Sequence, residues 1–514
     1  MRSRSMPAAA GLWALLAAPL AAQVPPESGP QPTRAIQPAL SGRTGQPGGV
    51  ATVQTPLPGG GAQSVNTINS TVQVQGAYQG SVPSASAPGA PFKLSFDDAV
   101  RRGLQYNLGT VGYTQAVRQA QALGKSARSS LLPLILSDAM VTDQQTDLAA
   151  LGFSSIPLPV GLSFPTVIGP YHYFDVRAGL EQSLLDFTRL RNYRASRQNV
   201  QAVQFAARDA RDLVVLAVTG AYLQVIASAS RVTSTRAQVE TSRATYQQAV
   251  DRHDAGLAAR IDVTRSQVEL QTNQQRLTSV ENDLAKQKIS LGRLIGLPPG
   301  QDFALTDDLP YAPLADITLD QALQRAAVNR ADLKSAEAQV QAAETARQAA
   351  AAERYPTVQV SGDYGLIGTS PTSSHGTFSV TGSVRMPIFQ GGRVQADVEQ
   401  ADAALEQRRS EYQDLKGRVD ADVRSAFLDL NSAASQVSVA QSNRLLAADT
   451  LAQARDRFTA GVADTVEVVQ AQEAVAAAEQ DYIAALFAHN LAKASLARAM
   501  GQADQTIRQF LGRP

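Results

Sequence analysis

The sequence predicts a mainly helical protein that carries a membrane β-barrel, built as two tandem repeats, each a strand pair plus long coiled-coil-like helices. Three observations predict it. A segment that opens "RHDAGLAARIDVTRSQ" at Arg252 returns as "RFTAGVADTVEVVQAQ" at Arg457, and the two copies run without a gap to Gly296 and Gly501, with 12 of 45 positions identical. Each half holds two runs in which apolar and polar residues alternate with period two. Residues 188–254 and 393–459 contain no proline and carry apolar residues at three- and four-residue steps, as at Leu213, Val214, Ala217, Tyr222 and Val225.

The elements follow in order. Arg2 and Arg4, the apolar run "AAAGLWALLAAPL" and the small residues "LAAQ" make residues 1–22 a secretory signal. Residues 23–92, rich in Pro, Gly, Ser, Thr and Gln, bury too little to offset their ordering entropy and are expected to be a disordered leader. Repeat 1 spans 93–296 and opens with a helix capped by Ser95, with Ala99, Val100 and Leu104 facing inward; a linker, 297–316, precedes repeat 2, 317–501, whose helix is capped by Thr318. A short tail, 502–514, ends the chain.

"LLPLILS" (131–137) answers "RYPTVQVSG" (354–362) at an offset of 223, and "FDVRAGLEQSLLDF" (174–187) answers "FSVTGSVRMPIFQG" (378–391) at 204. The difference falls in one place, a loop of about 143–172 that is longer in the first half and is expected outside the cell. Duplication accounts for the pattern. On the strands Val358, Val360, Tyr364 and Leu366 oppose Gln359, Ser361 and Asp363, while Phe174, Val176, Ala178 and Leu180 oppose Asp175, Arg177 and Glu181. A half-buried soluble sheet has the same alternation; the export signal and the charges on the second face favour a barrel. Roughly 67 residues at 1.5 Å each is ~100 Å of helix, too long for a compact domain. A return helix follows each turn, from about 262 to 296 and from 465 to 501.

Composition removes other classes. The chain of 514 residues has a net charge of +1 and no basic block, so nucleic acid is not expected as a partner. With no Cys it has no disulfide, thiolate metal site or lipidated N-terminal Cys. His172, His253, His375 and His489 show no metal spacing, and "LGKS" (123–126) lacks the earlier Gly of a phosphate loop, since position 119 is Gln119. An enzyme and a cofactor are therefore not expected. Beyond the signal no apolar run looks long enough for a membrane helix, so any span must be a closed barrel of strands. Four strands per chain cannot close one, but twelve from three chains can.

The repeat itself, the two Arg-x-x-Ala-Gly turns and "PIFQGGR" (387–393) together resemble the TolC-type outer-membrane efflux channels, from about Leu94 to Gly501. The first copy departs from the strand-to-helix junction, reading "LLDFTR" (184–189) without the glycine pair. The resemblance implies a homotrimer with a 12-stranded β-barrel in outer-membrane lipid and a 12-helix α-barrel tunnel in the periplasm. It also implies docking to a periplasmic adaptor protein and to an inner-membrane efflux pump or type I secretion transporter.

By the same resemblance the helix-turn tips form the periplasmic entrance and the adaptor-docking surface. That places Arg252, Gly256 and Leu257, and Arg457, Gly461 and Val462, at docking positions; the equal alternative is that the glycines only end helices and the arginines only bond the last carbonyls. Glu467 matches the family's gate carboxylate, with Asp464 beside it and Asp262 as the first-repeat counterpart; Gln470 stands where some relatives have a second acid. "DTVE" also reads as a capping box, Asp464 as cap and Glu467 at the third helical position, and Asp262 as a helix-start charge. The alternatives are a non-conducting outer-membrane structural protein and a periplasmic coiled-coil adaptor.

Overall fold

The computed structural model describes residues 48–56, 64–66, 68–84, 92–150, 152, 165–307, 311 and 317–504. The signal, the first part of the leader and most of the C-terminal tail lie outside the described residues. A hairpin of β1 (Val50–Pro56) and β2 (Ile68–Val74) comes first, then β3 (Phe92–Leu94). The first half continues through α1 (Phe96–Tyr106), α2 (Leu108–Ser129), β4 (Leu134–Asp147), β5 (Val167–Leu185), α3 (Phe187–Asp254) and α4 (Arg260–Leu294). After β6 (Phe303–Leu305) the order repeats as α5 (Leu319–Asn329), α6 (Ala331–Ala351), β7 (Thr357–Gly368), β8 (His375–Arg385), α7 (Arg393–Thr459) and α8 (Thr465–Ala499).

Both repeats start as the capping chemistry requires. The Ser95 side chain accepts from the Asp98 N–H, and Thr318 and Gln321 form a reciprocal capping box. The four long strands form one antiparallel sheet in the order β4-β5-β7-β8. Its register carries the duplication: Leu134 lies opposite Glu181, and their counterparts at offsets of 223 and 204, Thr357 and Arg385, lie opposite each other. One face therefore collects Ile135, Ala139, Phe174, Val176, Leu180, Val358, Val360, Tyr364, Leu366, Phe378, Val380 and Val384. The other collects Asp138, Asp175, Arg177, Glu181, Ser361, Asp363 and Ser379, together with Leu134, Leu136, Met140 and Ile367. On that polar face Arg177 bonds Asp175 (2.8 Å) and Asp363 (2.7 Å), and Ser379 donates to Asp363 (2.7 Å).

Several expectations change. The first hairpin is longer than its alternation suggests, so the connecting loop shrinks from about 143–172 to 148–166, of which 151 and 153–164 lie outside the described residues. In the second half β8 stops at Arg385, and "PIFQG" leaves the sheet through Gly391 and Gly392, both with positive φ. The first half needs no such glycines: Asp186 caps α3 directly, accepting from the Arg189 N–H at 2.8 Å. The linker also contributes β6, which pairs in parallel with β3.

The leader expectation fails where the structure describes it. Residues 50–56 and 68–74 pair in full register, and β2 lies across α3 at Gly220. A Cβ at Gly220 would sit 2.3 Å from Val72 Cγ2, so the glycine of α3 is the notch that seats the strand. Asp481, buried on α8, accepts from Ser64 Oγ (2.8 Å) and from the Val65 N–H (2.7 Å), and Thr52 Oγ1 and Ser495 Oγ lie 2.7 Å apart. Low apolar content is enough for order here because the hairpin borrows a finished core: Val214, Val215, Val218 and Tyr222 of α3, packed with Phe96, Ala99 and Val100 of α1 and Leu291 of α4.

This core also corrects the membrane reading of the helices. α3 does contain a stretch long and apolar enough to cross a bilayer, but 72% of it is buried inside the protein. Its apolar surface is used against α1, α4 and the hairpin.

Candidate functional site

The site to examine is the pair of turns, 255–259 and 460–464, that close the α3–α4 and α7–α8 hairpins. α3 and α7 span 68 and 67 residues, about 100 Å each at 1.5 Å per residue, so the turns stand far from the sheet. Both use the same backbone device. Gly256 (φ 74°) donates to His253 O at 2.8 Å while Leu257 N reaches Arg252 O at 2.8 Å. Gly461 (φ 77°) donates to Phe458 O at 3.1 Å while Val462 N reaches Arg457 O at 3.0 Å. Each is a Schellman end, and it requires the left-handed residue that glycine supplies without strain. Beyond the adjoining residues, nothing among the described residues lies within 4 Å of a Cβ added at either glycine, so conformation rather than space selects them. The next residues, Leu257 and Val462, are 72% and 69% exposed, an apolar side chain on each tip.

The duplicated arginines diverge. Arg252 stacks its guanidinium 4.5 Å over the Phe458 ring and donates to the Phe458 carbonyl at 2.9 Å, which ties the first tip to the second. Arg457 instead bonds Glu467 Oε1 at 2.9 Å within its own hairpin. Arg252 thus bonds a helix-end carbonyl of the other hairpin rather than of its own helix, and Arg457 a carboxylate. The cause is the neighbour at the next position: Phe458 offers Arg252 a ring, whereas the equivalent His253 turns its Nδ1 to Ala258 O at 2.9 Å.

Asp464 caps α8, accepting from the N–H groups of Val466 (3.1 Å) and Glu467 (3.2 Å). The capping box is half made, because Glu467 gives its carboxylate to Arg457. Asp262 stands in the first turn of α4, where the helix dipole favours it, and pairs with Arg265 at 3.6 Å. Asp464 and Glu467 therefore act as one group with Arg457, while Asp262 belongs to the other hairpin.

Above the tips the two hairpins enclose a groove of about 890 Å³, lined among others by Glu269, Asn273, Arg276, Arg444, Glu473 and Glu479. Burial raises the Glu269 carboxyl above its ordinary value; the Asn273 amide, donating at 2.8 Å, opposes this and nearby Glu473 adds to it. Gln472 Nε2 donates to Thr245 Oγ1 at 2.8 Å and bolts α8 to α3 below the groove. None of these residues stands out in the sequence, since each is one polar residue among many on a Gln-rich helix; only the approach of the two hairpins gathers them.

Comparison with known proteins gives one consistent picture. The profile of the outer membrane efflux protein family matches residues 113–297 and 322–502. The chain is 24% identical over 434 residues to the pyoverdine export outer membrane protein OpmQ of Pseudomonas aeruginosa, covering 83% of this chain and 88% of that one. It is 25% identical over 330 residues to the outer membrane protein OprJ of the same organism, covering 60% and 65%. Among solved structures, the outer-membrane channel OprN matches with a TM-score of 0.67 at 19% identity, over 79% of this chain and 90% of that one. The outer membrane protein VceC of Vibrio cholerae matches with 0.66 at 17%, over 79% and 96%.

Proposed function

The chain belongs to the outer membrane efflux protein family, and from that premise we propose that three copies close a twelve-stranded barrel across the outer membrane and a twelve-helix tunnel beneath it. Cargo handed over by an inner-membrane pump or secretion transporter and its periplasmic adaptor leaves through this duct. The observation that carries the reading is the four-stranded sheet, with one apolar face for lipid, one face that carries the charges for water and, among the described residues, two unpaired edges. Charges on one face and bare apolar side chains on the other suit a wall between water and lipid. Related proteins are named for pyoverdine export and for toluene efflux, cargoes of unlike chemistry, which fits a duct that takes its selectivity from the pump. Residues 1–22 direct export.

In this reading the tips are the entrance. Glu467, held by Arg457 and grouped with Asp464, repeats three times around the axis as an acidic ring that favours cations. Asp262 adds a charge from the first hairpin. Arg252 locks the first tip to the second, and the bare Leu257 and Val462, beside Gly256 and Gly461, offer apolar contacts to the adaptor.

Single-channel recording of the purified oligomer in a planar bilayer tests this, wild type beside Glu467→Ala. A small, cation-preferring conductance that rises in the variant supports a tunnel gated at the tips. No conductance from an inserted trimer would return the protein to a structural role, and a monomer by mass would end the shared-barrel reading.

A further inference from the structure

Among the described residues the sheet ends in two long open edges, the outer sides of β4 (14 residues) and β8 (11 residues). Open edges of that length demand a partner. The duplication specifies which one and in what register. Within the chain β5 of the first repeat pairs with β7 of the second, with Leu180 opposite Gly362 and Glu181 opposite Ser361. If the ring continues the same step, β8 must pair with β4 of the next copy as β5 pairs with β7. The counterparts follow from the offsets of 204 and 223 that already reproduce the register inside each hairpin. Leu180 and Gly362 become Val384 and Ala139; Ala178 and Tyr364 become Gly382 and Val141; Glu181 and Ser361 become Arg385 and Asp138.

We propose that the chain closes on a second copy of itself in this register, with Arg385 of one copy opposite Asp138 of the next on the polar face. The inference rests on the trimeric reading above and adds the atoms that make the seam. The register preserves both faces, and one independent feature agrees with it. Val384, Gly382, Ala139 and Val141 all fall on the apolar face, so the seam keeps both faces unbroken, whereas a slip of one residue would invert every side chain. An acid and a base also fall directly across from each other, although neither charge was used in deriving the register. Directly opposed opposite charges stabilise an antiparallel pair, and like charges weaken it. Within its own chain Asp138 already lies opposite Arg177, so Arg385 extends one row of alternating charge from copy to copy: Arg385, Asp138, Arg177, then Asp175 and Asp363. The edge beside the seam is otherwise bare, with Ile388 96% and Phe389 87% exposed just after β8.

The absence of cysteine makes the test clean, because any disulfide in a double variant is the engineered one. Val384→Cys with Ala139→Cys places sulfurs on residues expected about 4.5–5.5 Å apart, within disulfide reach, while partners displaced by two residues lie about 7–8 Å away. On oxidation the detergent-extracted protein should run as a covalent trimer on a denaturing gel. Val384→Cys with Ser137→Cys or with Val141→Cys should not. Separately, Arg385→Asp and Asp138→Arg should each lower the temperature at which the trimer dissociates, and the double exchange should restore it. A trimer by mass that cross-links preferentially at a displaced pair, or that the double exchange fails to restore, overturns the register while leaving the channel reading intact. A wild-type protein that is monomeric by mass overturns both.

Discussion

Replacing Gly220 by Ala should have opposite effects depending on what residue 72 is. Alanine is the better helix former by about 1 kcal/mol, so on an isolated α3 the change would stabilise. In the protein the new Cβ would lie 2.3 Å from Val72 Cγ2 and 3.0 Å from its Cβ, closer than such atoms approach. Val72 cannot simply turn aside, since a β-branched side chain in a strand has few allowed rotamers and this one packs against the helix core. Overpacking of this kind costs about 1–3 kcal/mol. Gly220→Ala alone should therefore be neutral to ~2 kcal/mol destabilising, whereas in a Val72→Gly background, which removes the Cβ as well as the methyls, it should stabilise by about 1 kcal/mol. The coupling is then about 1–3 kcal/mol. Thermal unfolding of the four proteins in detergent gives the coupling, and amide exchange at 50–55 and 69–74 reports whether the β1–β2 hairpin has lifted. Equal effects of Gly220→Ala in both backgrounds would refute the idea that the glycine exists to seat the strand.

Arg252→Ala should speed amide exchange at 456–462 by removing both the stacking and the carbonyl bond, together about 1–2 kcal/mol, and Lys should not restore it because an ammonium lacks the planar face. Asp464→Ala should cost about 1 kcal/mol through the lost cap, whereas Glu467→Gln, which breaks an exposed ion pair, should leave melting almost unchanged and raise conductance. That difference separates capping from gating. His489 is buried on α8 beside Lys493, and burial first, then the lysine charge, pushes its imidazole down to about 4. Because the folded value is depressed, its contribution to stability is intact above about 6.5 and is lost as the pH falls through about 4, by roughly 3 kcal/mol. Asp212 works in the other direction: burial raises it to about 6, so its contribution is present below its ordinary value and lost as the pH rises through about 6. The difference in melting between wild type and His489→Phe across pH 4 to 7 isolates the histidine, and a constant difference would remove it as the cause.

Much of the architecture was legible because its signals are local. The turns at Gly256 and Gly461, the caps at Ser95, Thr318 and Asp464, and the alternation along β5 and β7 are set by residues a few positions apart. Duplication let each half check the other. Features that join distant segments were not legible. Arg252 and Arg457 occupy the same place in the same motif, yet one reaches across to Phe458 and the other back to Glu467, a choice made by which hairpin stands beside it. Gly220 looks like a flaw in a long helix until Val72 is found against it. Residues 48–56 and 68–84 read as too polar to order. They are held by a core and by buried acceptors such as Asp481 that other parts of the chain provide. Sequence by itself determined the periodic elements, their doubling and the turns between them, because backbone preference and amphipathic period act over one or two turns of chain. The tertiary structure alone decided which equivalent residues meet, because that depends on surfaces brought together from hundreds of residues apart.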